Sequence, residues 1–170
     1  QVAMVTPSAF SRARICAIEP GLAELKWQEI PHGAPPMPRL ETPSAKGSES
    51  RQATREPLRV LVPGHIPGGK GEWLLRELLP MLDEGFEVFL LGAGPAGHPF
   101  ISLPFVRFQE HYRREHLAES VARFRPDVAL LPSTVPETWG YVLTEMQQLG
   151  VPVLAGRQGA YAERLRDGAG

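Results

Sequence analysis

An α/β fold, a parallel sheet flanked by helices, is what this sequence predicts, and three observations carry the prediction. From Leu58 onward, short apolar runs alternate with segments whose apolar residues recur at helical spacing. Three of the runs stop on turn residues, at Pro63-Gly64, Gly92 and Pro132-Ser133. The intervening segments are long enough for crossovers between parallel strands, and no apolar run approaches the length of a membrane span.

The elements follow in order. Ser8 to Ile18 is expected to form a short helix, with Ser8 as its N-cap after Pro7. Leu25 to Ile30 is expected to be a strand ending at Pro31-His32-Gly33. This leading segment has little core of its own and must dock on something. Pro35 to Pro57 reads as a linker, because it holds five of the 18 prolines and Leu40 is its only large aliphatic residue after Met37. Such a stretch buries too little apolar area to offset its ordering entropy, and mobility is expected there. The organisation is therefore a leading segment over 1–34, a linker over 35–57 and a domain over 58–170.

Within that domain, Leu58 to Val62 is a buried strand. Glu72 to Leu82 is a helix, with Leu74, Leu75, Leu78, Leu79 and Leu82 on one face. Phe86 to Leu91 and Leu103 to Phe108 are strands. Arg113 to Phe124 is helical, with Leu117, Val121 and Phe124 facing inward. Asp127 to Leu131 is a strand, Gly140 to Leu149 a helix closed by Gly150, Val151 to Leu154 a strand, and Ala160 to Leu165 a further helix. Ligands of such sheets bind at the carboxyl ends of the strands. The informative residues should therefore follow Val62, Leu91, Leu131 and Leu154.

Composition narrows the function. Formal net charge is −1, so no basic field recruits nucleic acid or an anionic membrane. A single cysteine, Cys16, excludes an internal disulfide and a cysteine-rich metal site, and fits a reducing, cytoplasmic setting. The chain starts at Gln1 and stops at Gly170, and both ends read as cut points in a longer protein.

Two motifs invite a nucleotide reading that their chemistry does not support. Gly64 to Gly71 matches G-x-x-x-x-G-K between a strand and a helix, but Gly71 replaces the Ser or Thr that would hold Mg²⁺. Pro67 also removes an amide from the cradle. Gly92-Ala-Gly94-Pro-Ala-Gly97 matches G-x-G-x-x-G, yet His98-Pro99 follows where a helix should begin. It reads as a glycine-rich turn between two strands.

The segment Pro132 to Glu145 carries the chemistry. Glu137 and Glu145 lie eight positions apart around a helix start. Eight helical residues advance roughly 12 Å and end about 80° from alignment. Glu137 is thus expected at the helix mouth and Glu145 about two turns inside, on nearly the same side. A helix start offers unpaired amides and positive dipole to a diphosphate, and the two carboxylates could accept bonds from hydroxyls of two sugars. The competing reading makes Glu137 ordinary first-turn decoration and Glu145 a solvated residue. Leu143, Met146 and Leu149 around Glu145 weigh against that. Trp139 reads as core rather than as a platform for a sugar ring.

Glu137-x7-Glu145 followed by Gly150-Val-Pro-Val-Leu-Ala resembles the E-x7-E region of retaining glycosyltransferases of family 4, which includes sucrose-phosphate synthases and bacterial mannosyltransferases. Further matches come in order. They are Arg59-Val-Leu-Val-Pro-Gly64 with Lys70-Gly71, Leu91-Gly-Ala-Gly94-Pro95, Pro126-Asp127 to Ser133, and Gly159-Ala160 with Glu163-Arg164. Ile30-Pro31-His32-Gly33 resembles the family's interdomain strand, with histidine for asparagine. The resemblance implies a Rossmann-like domain, the C-terminal, donor-binding half of a GT-B fold. It implies transfer of a sugar from a nucleoside diphosphate sugar to a glycan, lipid-linked or small-molecule acceptor held by an N-terminal domain. It makes the leading segment over 1–34 an interdomain segment or a remnant of that N-terminal acceptor domain. No metal and no other cofactor is expected.

By the same resemblance Lys70 binds the diphosphate, and Glu137 contacts the donor sugar; these two are the expected catalytic residues. Gly64 and His65, with the Thr138, Trp139 and Gly140 segment, complete the donor contacts, and Glu145 binds the ribose. His65 stands where the family usually has an arginine, which weakens a phosphate contact. Base selection is expected from the loop around Gln109 to Tyr112. The isolated chain is expected to bind donor without transferring it. The alternative is a non-catalytic scaffold or carbohydrate-recognition module derived from such an enzyme.

Overall fold

The structure, a computed structural model, describes residues 3–40 and 56–166. Seven strands and five α-helices are described. In chain order they are β1 (Ala3–Thr6), α1 (Ala9–Ile18), β2 (Lys26–Glu29), β3 (Leu58–Pro63), α2 (Glu72–Leu78), β4 (Phe86–Leu91), β5 (Val106–Gln109), α3 (Leu117–Phe124), β6 (Val128–Leu131), α4 (Tyr141–Leu149), β7 (Val153–Ala155) and α5 (Gly159–Arg164). Five strands form one parallel sheet in the order β5-β4-β3-β6-β7. The order reverses between β3 and β6, so this is the doubly wound topology whose ligands sit beyond the carboxyl ends at the reversal.

Alternation along the central strands sends side chains into two cores. Val60, Val62, Val88 and Leu90 pack with Leu75 of α2 and with Leu79. Leu61, Leu91 and Ala129 pack with Leu117, Val121 and Phe124 of α3 and with Met146 and Leu149 of α4. Both faces of the sheet are covered, which is why the inner stretches 60–62, 88–91 and Val128–Leu131 are continuously apolar rather than alternating. Burying a side chain such as Leu61 or Leu75 contributes about 1.5–3 kcal/mol. The predicted parallel α/β fold is the one observed.

Prolines account for most of the differences from the expected boundaries. The helix expected to reach Leu82 stops at Leu78 and tightens into a 3-10 turn over Leu79–Met81, because Pro80 has no amide to donate. The strand expected from Leu103 begins at Val106, beyond Pro104, and the strand expected from Val151 begins at Val153, beyond Pro152. Arg114–His116 form a 3-10 turn before α3. The glycine-rich stretch after β4 is more ordered than a simple turn: Gly94–Phe100 wind as a 3-10 helix.

Ser8 caps α1 as expected, accepting from the Ser11 amide. β2 is the strand expected over Leu25 to Ile30, and β1 pairs with it in parallel, an element the sequence reading did not anticipate. α1 docks on α5, where the Phe10 amide donates to the Glu163 carboxylate. The stretch read as a linker is described only at its ends. Met37 and Leu40 pack against the α3–α4 core, and the Leu40 amide donates to the Leu149 carbonyl at 2.9 Å. Mobility was expected over the whole of 35–57; residues 35–40 are instead described, with these contacts, and 41–55 lie outside the described residues.

Candidate functional site

A cleft of about 410 Å³ opens beyond the carboxyl ends of β3 and β6, at the reversal of strand order. That volume suits a small-molecule ligand. Its lining includes Gly64, His65, Lys70, Glu137, Gly140 and Tyr161. Lys70 is delivered by the loop after β3, where Gly68–Lys70 form a 3-10 turn ahead of α2. Glu137 is delivered by the loop after β6. The Lys70 Nζ donates to Glu137 Oε1 at 2.5 Å across the cleft. With the lysine side chain 46% exposed, the pair is held in water-like surroundings and is weak enough to be exchanged for the charge of a ligand.

The loop bearing Glu137 is fixed by its carbonyls. Glu137 O accepts from the Ala160 amide at 2.8 Å. Thr138 O accepts from the Ser8 and Ser11 hydroxyls at 2.7 and 3.3 Å. Trp139 O and Gly140 O both accept from Arg164 Nη1, at 2.9 and 3.0 Å. Thr134 donates its amide and its hydroxyl to Gly69 O at 2.7 and 3.0 Å, tying this loop to the one that carries Lys70. α4 then starts at Gly140, whose φ of +79° suits glycine. A β-carbon there would stand 2.2 Å from the Tyr161 ring. No side chain caps this helix start and its first turn holds no acid. Its positive end therefore remains available to an anion.

Glu145 is the fifth residue of α4, little more than one turn in rather than two, because the helix begins at Tyr141 and Glu137 lies on the preceding loop. It is buried, and its Oε1 accepts from Arg114 Nε at 2.8 Å. Val142, one turn back on the same side of α4, lines the cleft and would contact any β-carbon at Gly64 at 3.2 Å. Glu145 itself is not among the lining residues; it lies one turn along α4 from Val142, which is. His65 is exposed, and its ring occupies the space a side chain at Gly94 would need.

The structure brings Gly64, His65, Lys70, Glu137 and Gly140 to one cleft, with Glu145 beside it. Thr138 and Trp139 are not among its lining residues. Trp139 is partly buried, with the Arg164 guanidinium 4.1 Å over its ring and the His32 ring edge-on at 6.0 Å. Its Nε1 is buried without a hydrogen-bond partner among the described residues. Among those residues, no group of three or more His, Cys, Asp or Glu gathers as a metal centre.

Sequence reasoning missed three residues that shape the site. Tyr161 lines the cleft, and burial, reinforced by the Glu137 charge, pushes its phenol well above the ordinary tyrosine range. Arg164 supports the loop, and burial lowers its affinity for its proton. Arg114 holds Glu145. Tyr161 and Arg164 lie one turn apart on α5, which was expected as a helix, but nothing in its sequence says that a helix three elements away will brace a loop. Arg114 was expected only as part of the helix from Arg113 to Phe124, which offers no pointer to Glu145.

No protein-family profile and no curated protein sequence matches the chain. Solved structures do match its fold. HepE from Anabaena, crystallised in complex with UDP-glucose, superposes with a TM-score of 0.69 at 22% identity over 96% of this chain and 47% of that one. A glycosyltransferase from Rickettsia africae gives 0.64 at 16% identity over 96% and 46%. Sucrose-phosphate synthase from Thermosynechococcus elongatus gives 0.67 at 20% identity over 92% and 41%. The chain has the fold of one half of a GT-B glycosyltransferase. It spans just under half the length of these structures. Among the described residues, no helix is long and apolar enough to cross a membrane.

Proposed function

We propose that this chain is the donor-binding half of a retaining glycosyltransferase of family 4 type, acting on a nucleoside diphosphate sugar. One observation carries the reading: a lysine and a glutamate meet across a cleft at the reversal of strand order, beside the uncapped start of a helix that carries a buried glutamate further along. A diphosphate needs positive charge, and Lys70 with the α4 start supplies it. Glu137, released from Lys70, accepts from hydroxyls of the transferred sugar, while Glu145 accepts from the ribose. The UDP-glucose bound by HepE, a protein of the same fold, supports a ligand of this class.

In the reaction the bond between the anomeric carbon and the diphosphate oxygen breaks, the acceptor hydroxyl oxygen bonds to that carbon on the same face, and its proton passes to the departing diphosphate. Charge grows on the departing diphosphate, and fixed positive groups aimed at it lower the barrier. Lys70 and the helix start fill this role, so the reading calls on no divalent metal and no protein nucleophile. The acceptor, a glycan, lipid-linked or small molecule, belongs to a second domain, and closure of the two halves completes the site. By itself the chain binds donor and does not transfer.

The test is a calorimetric panel of uridine, guanosine and adenosine diphosphate sugars against the chain together with its partner domain. Saturable binding that is lost in Glu145→Ala supports the donor site. A folded sample that binds no member of the panel contradicts it and favours a scaffold role.

A further inference from the structure

The geometry points to Arg114 as a specificity-determining residue, which clamps Glu145 with one edge of its guanidinium and reads the nucleotide's base with the other. This rests on the donor-site reading. The strand order sets the direction in which the ligand lies. Glu137 follows β6, Lys70 follows β3, Gly92 follows β4, and Tyr112 and Arg114 follow β5. Neighbouring strands are about 4.8 Å apart, so the β5 loop stands roughly 10 Å from the β3 loop along this rim. With the transferred sugar at Glu137 and the diphosphate at Lys70, the nucleoside extends toward β4 and β5.

What waits there is a built group of side chains. Met146 and Leu149 of α4 belong to the same core as Leu61 of β3 and Leu91 of β4, and the Arg114 bond ties Glu145 to the β5 loop. The Tyr112 ring lies against Gly92, where any β-carbon would stand 2.4 Å from it. Its phenol lies in the field of both Glu145 and Arg114. Arg114 spends only Nε on Glu145, and its two Nη atoms have no hydrogen bond among the described residues. The side chain is 40% exposed and Glu145 only 8%, so the bonded edge is inside and the remaining edge faces solvent at the rim.

A guanidinium offers donors only. At the edge bearing position 4 of a pyrimidine or position 6 of a purine, it meets a keto oxygen on uracil or guanine, which accepts its proton, and an amino group on cytosine or adenine, which does not. The site should therefore prefer uridine and guanosine diphosphates over cytidine and adenosine diphosphates.

The experiment measures the affinity of the full chain for the four nucleoside diphosphates by calorimetry, for the unaltered protein and for Arg114→Lys and Arg114→Met. The lysine variant keeps a cation beside Glu145, and the thermal midpoint of each variant reports folding. The unaltered protein is expected to prefer the keto bases by about tenfold or more. Both variants should bring that preference to within about threefold, a change of ratio that a merely structural arginine would not produce. A preference unchanged in folded Arg114→Lys, or no preference in the unaltered protein, overturns the role of Arg114 and leaves the donor-site reading standing. Absence of binding by every nucleotide overturns both.

Discussion

The two glutamates of the E-x7-E segment are held in opposite ways. Glu137 rides on a loop whose position comes from backbone carbonyls gripped by Ala160, Ser8, Ser11 and Arg164. Its carboxylate is left to an exposed lysine that can let go. Glu145 rides on a helix whose neighbours Leu143, Met146 and Leu149 are fully buried, and its carboxylate is fixed by Arg114 in low-dielectric surroundings. On the proposed donor-site reading, the group assigned to the transferred sugar is mounted where partners exchange, and the group assigned to the ribose where they do not. Scaffold substitutions should therefore act on stability through both regions, while side-chain substitutions should separate them.

The largest effect is expected at Gly140→Ala. The new methyl collides with the Tyr161 ring and forces a positive φ on alanine, costing about 2–4 kcal/mol by chemical denaturation. Next comes Arg114→Ala, which strips a buried carboxylate of its charged partner and should cost about 1.5–3 kcal/mol. Ser8→Ala removes both the α1 cap and a bond to Thr138 O, for about 1 kcal/mol, and loosens the Glu137 loop. Lys70→Ala should change stability by less than about 1 kcal/mol, since its pair is exposed, yet should weaken nucleotide binding at least tenfold, to about the extent that one charged hydrogen bond contributes. Equal stability losses at Arg114 and Lys70 would erase the contrast between the two pairs.

Alkali offers a finer probe. Burial first, and the Glu145 charge second, push the Tyr112 phenol up to about 12. In the unfolded chain it ionises near the ordinary value of about 10. The folded state is thus favoured below pH about 10, and this contribution is lost as pH rises toward 12. Glu145→Gln should move the phenolate absorbance transition to lower pH, because one charge opposing ionisation is removed.

Much of the fold was legible because β3, β4, β6 and the helices between them follow simple rules. Short apolar runs ending on turn residues meant buried strands, and Leu74 to Leu79 or Leu117 to Phe124 showed helical spacing. Boundaries failed at Pro80, Pro104 and Pro152, where one missing amide shortens an element and no periodicity reports it. β1 was missed because four residues carry too little pattern, and its pairing with β2 is decided in three dimensions. The cleft residues Gly64, Lys70, Glu137 and Gly140 were legible because they sit where strands end. Tyr161 and Arg114 were not, since each reaches the site from an element whose own sequence says only that it is a helix or a charged turn.

The most direct measurement is a titration of the isotope-labelled chain with UDP-glucose, following backbone amide resonances. Shifts concentrated at Gly64 to Lys70, at Glu137 to Val142 and around Glu145 are the expected result. Shifts confined to any other face of the sheet, or none at millimolar UDP-, GDP- and ADP-glucose in turn, would contradict the account.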